Sequence, residues 1–181
     1  MAHLLGNSLI SNKQYGFING RVTSLQLLHM LDKWTEYLED GGQIDALYND
    51  FGKAFDKVPH TRLISKLNSY GISKSIIKWI QDFLAGRKYR VRVNLSYSLW
   101  NWVTSGIPQR SVLGPLLFLI YINDLIECCA THCEIYLFAD DAKLFKHILN
   151  ECDHQSLQEG VSELYVWTQR WLLTVNNQSV M

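Results

Sequence analysis

Residues 112–126 constrain the fold more than any other stretch, because from Leu116 to Ile122 every side chain is apolar or aromatic. Gly114 and Pro115 interrupt the run, and its longest apolar portion, residues 112–122, is about half the length a bilayer crossing needs. Such a segment is expected to be buried in a globular core. The composition permits one: 181 residues, 48% hydrophobic and 12% aromatic, exclude a disordered tail and suit a single domain. Four cysteines without a Cys-x-x-Cys spacing argue against a zinc module. No cationic start followed by an apolar signal core is visible, so the expected setting is intracellular, nuclear or cytoplasmic, with no membrane partner.

The formal net charge is zero, which excludes a uniformly basic coat but conceals an asymmetry. Ten cations (Lys53, Lys57, Arg62, Lys66, Lys74, Lys78, Arg87, Lys88, Arg90 and Arg92) face only Asp56 and Asp82, so residues 53–92 carry +8 and the remainder −8. With Tyr70, Trp79 and Tyr89 interleaved, this block suits phosphate tracking and base stacking. The bland alternative is a solvated helical face with the rings turned inward.

Leu25, Leu28, Leu31, Trp34 and Leu38 recur at helical spacing and stop at Gly41-Gly42. Residues 44–48 read as a strand ending near Asp50. Residues 60–85 read as two helices broken at Gly71, with Leu63, Leu67, Ile76, Trp79 and Phe83 facing inward. Alternation over 90–102 predicts a strand or hairpin, and residues 135–138 and 143–148 flank Asp140-Asp141 like the arms of another. The tail, 157–173, predicts an amphipathic helix with Leu164, Trp167 and Trp171 on one side. The mixture is α+β, an antiparallel sheet backed by helices.

Asp50 at a strand end and Asp140-Asp141 in a turn would make a hard oxygen site suited to Mg²⁺ if the fold brings them together. On spacing alone, turn formation and helix capping explain them as well. Four ordered strings change the weighting: QYGFINGR at 14–21, YNDFGKAFDKVPH at 48–60, SGIPQRSVLGPLLFLIYINDL at 105–125 and FADD at 138–141. Together they resemble the reverse transcriptase domain of a non-LTR (LINE, jockey-type) retrotransposon, over nearly the whole chain.

The resemblance implies a polymerase palm at 43–181 with partial fingers at 1–42, together a fragment of a longer enzyme. It implies RNA-directed DNA polymerase activity, in which a primer 3′-hydroxyl attacks a dNTP, with an RNA template, a DNA primer and two Mg²⁺ ions. Asp50, Asp140 and Asp141 match the family's catalytic and metal-binding aspartates. Phe55 matches a gate against the ribose 2′-hydroxyl, with core packing as its alternative. Phe51, Pro108, Gln109 and Arg21 match positions around the incoming nucleotide and template. Three departures stand out: Arg110 where the family commonly has Gly, Ile18 and Asn19 where a basic residue often follows Gly-Phe, and Gln178 and Ser179 where a Lys is usual. They keep open an alternative, a catalytically inactive, retrotransposon-derived remnant that binds nucleic acid.

Overall fold

The computed structural model describes residues 2–176. The expectations that fall on Gln178 and Ser179 therefore lie outside the described residues. A short helix α1 (Ala2–Gly6) leads to α2 (Thr23–Glu39), which ends, as its sequence predicts, just before Gly41 and Gly42, both with positive φ. Strand β1 (Gln43–Asp50) follows, then α3 (Ala54–Lys57), α4 (His60–Ser69) and α5 (Lys74–Leu84). Four two-residue strands come next: β2 (Lys88–Tyr89), β3 (Arg92–Val93), β4 (Ser96–Tyr97) and β5 (Asn101–Trp102). The chain closes with α6 (Gly114–Ile122), α7 (Leu125–Cys129), β6 (Glu134–Phe138), β7 (Asp141–Ile148) and α8 (Glu151–Trp171).

β1, β7 and β6 form an antiparallel sheet with β7 in the centre. Side chains alternate between its faces, and both faces are covered. Ile135, Leu137, Ala142 and Leu144 join Leu117, Leu119 and Leu164 on the α6–α8 side. Tyr136 and Phe145 meet Met30 and Trp34 of α2 on the other. Double coverage accounts for the near-continuous apolar run of β6, whereas β1 and β7 keep polar residues such as Asp45, Lys143 and Lys146. The 112–126 segment is buried as expected, with every residue from Leu117 to Ile122 in the core. Helix α8 begins earlier than its apolar pattern suggests because Asn150 and Asp153 form a capping box.

Two inward faces differ from expectation. In α5 the buried stripe is Ile77, Ile80 and Leu84, while Ile76 and Trp79 are exposed and Phe83 is only partly buried. The helix carries two adjacent apolar stripes, and packing against α4 selects the aliphatic one; Trp79 stacks instead on Phe83. In α2, Gln26 and Met30 are buried, whereas Leu28, Leu31 and Leu38 stand outward.

Candidate active site

The site is built where two strand ends meet a turn. Asp50, the last residue of β1, lies directly opposite Asp141, the first of β7. Asp141 also pairs with Phe138, so the β6–β7 connection is the tight turn Ala139-Asp140 expected from the sequence. Ala139 has φ +56°, the left-handed conformation that such a turn requires. Asp50 and Asp140 line one cleft of about 500 Å³, together with Phe51, Phe55, Pro108 and Gln109. The cleft thus collects six of the eight expected site residues. Asp141 stands beside it through its register with Asp50.

The carboxylates feel one another. Burial pushes the Asp140 carboxyl above the ordinary aspartate range, and repulsion from Asp141 and Asp50 adds to this. Burial also raises Asp141, again with repulsion from Asp50, while Lys143 partly offsets it. A site where ionisation is disfavoured in this way attracts a cation, and hard carboxylate oxygens suit a divalent ion such as Mg²⁺. The donor chemistry therefore fits a metal held by Asp50, Asp140 and Asp141. Among the described residues, however, no three acidic, His or Cys side chains already form a closed ligand group. Oδ2 of Asp50 instead accepts a hydrogen bond from Nδ2 of Asn176 at 3.1 Å.

That contact belongs to a feature the sequence did not reveal. Residues 174–176 lie alongside the end of β1: Val175 bridges Phe51 antiparallel, Gly52 N–H donates to Thr174 O, and Asn176 N–H donates to Asp50 O. Phe51 itself is buried against Trp167, so its side chain is mostly a packing element at the edge of the cleft. Phe55 is fixed on two sides, stacked on Phe118 at 4.3 Å between centroids and meeting Phe17 edge-on. Gln109 donates from Nε2 to Asp56 Oδ1 at 2.9 Å, and Ser111 Oγ donates to Pro108 O. The Pro108 loop is thereby tied to α3. Gly106 has φ +88° and approaches Asp56 so closely that a Cβ would lie 2.6 Å from its carbonyl oxygen.

Arg21 is placed elsewhere. Its Nη1 donates to Ser11 O at 2.8 Å and Gln14 O at 2.6 Å, and it does not line the cleft. It is a loop clamp, joining two carbonyls of the turn that runs from Ser11 to Gln14. Ile18 is buried in the main core, so a cation at that position would have been desolvated without a partner. Arg110 lines the cleft and has φ +60°, where glycine is the comfortable residue.

Two further residues shape the site. Lys53, also left-handed, projects an exposed cation at the cleft. Gln14 is fully buried, and its Oε1 accepts from Gly16 N–H at 2.7 Å and Ala139 N–H at 3.0 Å. Around it, Tyr15 N–H donates to Leu137 O and Leu137 N–H to Lys13 O, which adds residues 13–15 to the sheet beside β6. Gln14 therefore pins the turn that carries Asp140. The signal was its place beside Gly16, whose absent side chain lets Ala139 approach; a Cβ there would meet Ala139 N at 2.2 Å.

The model of the reverse transcriptase (RNA-dependent DNA polymerase) family matches residues 1–178. This chain belongs to that family. The reverse transcriptase domain is 33% identical to a probable RNA-directed DNA polymerase from transposon BS of Drosophila melanogaster, with 96% of the chain and 20% of that protein covered. It is 30% identical to the RNA-directed DNA polymerase from mobile element jockey of Drosophila funebris, covering 90% and 18%. The chain thus spans about a fifth of the length of these relatives, and they bear out the resemblance to jockey-type elements. In structure it is similar to telomerase from Candida tropicalis in complex with a TWJ fragment of telomeric RNA: TM-score 0.72, 13% identity, 99% of this chain and 32% of the other. At that identity the likeness establishes the α+β, palm-like fold.

Proposed function

We propose that this reverse transcriptase domain is the palm of an RNA-directed DNA polymerase that joins a dNTP to a primer 3′-hydroxyl on an RNA template. The observation that carries the reading is the register of Asp50 opposite Asp141, with Asp140 in the adjoining turn above the cleft of Phe55, Pro108 and Gln109. Asp50, Asp140 and Asp141 would hold divalent metal, Mg²⁺ by the hardness of the ligands. Bound there, such ions offset charge on the phosphoryl group and on the departing pyrophosphate. Phe55, immobilised by Phe118 and Phe17, gives a rigid wall against a 2′-hydroxyl. Lys53 supplies a cation for a triphosphate at the same cleft. The four cysteines are free, as suits a nuclear or cytoplasmic setting.

A second reading, an inactive remnant that still binds nucleic acid, is favoured by Arg110, which places a long side chain at the cleft on a left-handed backbone of φ +60°. Primer extension on RNA with Mg²⁺ decides between them. Slow dNTP-dependent synthesis by the wild type, raised in Arg110→Gly and absent in Asp140→Ala, is expected. No synthesis by either wild type or Arg110→Gly, together with no thermal stabilisation by Mg²⁺, supports the remnant. Synthesis that persists in Asp140→Ala overturns the assignment of the aspartates.

A further inference from the structure

Between α5 and the Pro108 loop the chain runs out into a two-stranded ribbon and back. Its pairs are Lys88 with Trp102, Tyr89 with Asn101, Arg92 with Tyr97 and Val93 with Ser96, and Arg87 O accepts from Val103 N–H at its root. Every residue from 88 to 102 is exposed. An isolated ribbon of this kind gains little from burial and is marginal in water, yet this one is dense in rings and cations. Lys88 Nζ lies 3.9 Å from the Trp102 ring centre, and Arg90 lies 3.9 Å from that of Tyr97 and 4.7 Å from that of Trp100. Not one carboxylate occurs between Asp82 and Asp124.

The root of the ribbon opens toward the proposed active site. A second groove, lined by Arg87, Tyr89 and Trp102, shares Lys53, Pro108 and Gln109 with the carboxylate cleft. One continuous path therefore leads from Asp140 past Gln109 to the exposed rings.

We infer that the ribbon of residues 87–103 is a track for single-stranded nucleic acid, continuous with the cleft and holding the strand beyond it. The charge selects a polyanion, and exposed tyrosine and tryptophan faces select unpaired bases, which a duplex keeps stacked on one another. Arg90 and Lys88 orient the rings they cover while remaining open to phosphates. That the strand is a template rests on the polymerase reading; that the ribbon binds a single strand does not.

The test is fluorescence anisotropy of labelled oligouridylate with the whole chain, over a salt series. Tyr97→Ala combined with Trp100→Ala should weaken binding about thirtyfold and leave the salt slope unchanged. Lys88→Gln with Arg90→Gln should reduce that slope by about 1.4. Because all four side chains are exposed, the thermal midpoint should stay near wild type. Unchanged oligouridylate binding in both variants overturns the proposal. So does equal binding of a duplex that ignores the aromatic substitutions, or a loss confined to phosphatidylserine vesicles. Asp140→Ala separates the two readings: ribbon variants that bind RNA normally beside an extension-dead Asp140→Ala sink the track alone. Weakened binding in ribbon variants of a chain that never extends primers sinks the polymerase alone.

Discussion

Lys66 and Arg90 belong to the same basic run and both lie over aromatic rings, Lys66 in the interior between α4, α6 and α8 and Arg90 on the exposed ribbon. Lys66 is 4% exposed, pairs with Asp124 at 2.5 Å, donates to Tyr121 O and sits 3.8 Å from the Trp171 ring centre. Arg90 touches Tyr97 and Trp100 with solvent all around. The same cation–ring chemistry serves opposite ends. Buried, it fastens three helices and is withdrawn from any ligand; exposed, it leaves both partners available. The +8 block is thus not one surface, and Lys66 must be removed from the phosphate-binding set that charge alone suggested.

Lys66 and Arg90 part most clearly in what they contribute to stability. Lys66→Ala leaves Asp124 with Trp167 Nε1 as its partner but empties the box of rings and frees the Tyr121 carbonyl, and should cost about 3 kcal/mol in urea unfolding, mostly as lost packing and hydrogen bonding. Equal losses in Lys66→Ala and Arg90→Ala would show that burial does not distinguish the two cations. Burial also lowers the Lys66 pKa to about 8, against the pull of Asp124. The folded chain then releases this proton from about pH 8, while the unfolded chain keeps it to the ordinary lysine value of 10.5. Stability should therefore rise with pH from about 8 to 10, and Lys66→Met should flatten that rise.

Gln14 offers an interior contrast without charge. Gln14→Ala leaves the buried N–H groups of Gly16 and Ala139 without an acceptor, which should cost about 2 kcal/mol. Beyond that loss, it should depress primer extension at temperatures where the chain remains folded, since the Asp140 turn loses its anchor. Extension falling only in step with unfolding would make Gln14 merely structural.

Arg110 is a third cation, neither boxed nor ring-stacked. Arg110→Gly relieves a left-handed backbone but frees the unfolded chain, for a net gain of about 0.5 kcal/mol in thermal unfolding. A loss of stability would mean that the side chain makes a contact stronger than the strain. Smallest of all, Arg90→Ala should change folding stability by less than about 0.5 kcal/mol while weakening RNA binding. A large unfolding effect would place the ribbon among the structural elements.

Much of this was legible in the chain itself. Short apolar runs on either side of Asp140-Asp141 could form little else than a hairpin, and the 112–126 segment had no stable place outside a core. Local patterns of that kind act over a few residues, so the order of side chains is enough to specify them. Whether Ile76 or Ile77 turned inward on α5 was a different matter, because both stripes are apolar and only the surface of α4 distinguishes them. The same holds for Lys66, Arg21 and Gln14. Their roles depend on acceptors and rings brought from as far as residues 121–171, or on a loop that must fold before its carbonyls converge. Local pattern in the chain thus carried the β6–β7 turn, the buried 112–126 segment and most of the elements. The tertiary structure alone decided that Asp50 faces Asp141, which cations are buried and which exposed, and what holds the turn, because burial and hydrogen-bond partnership are properties of distant segments meeting.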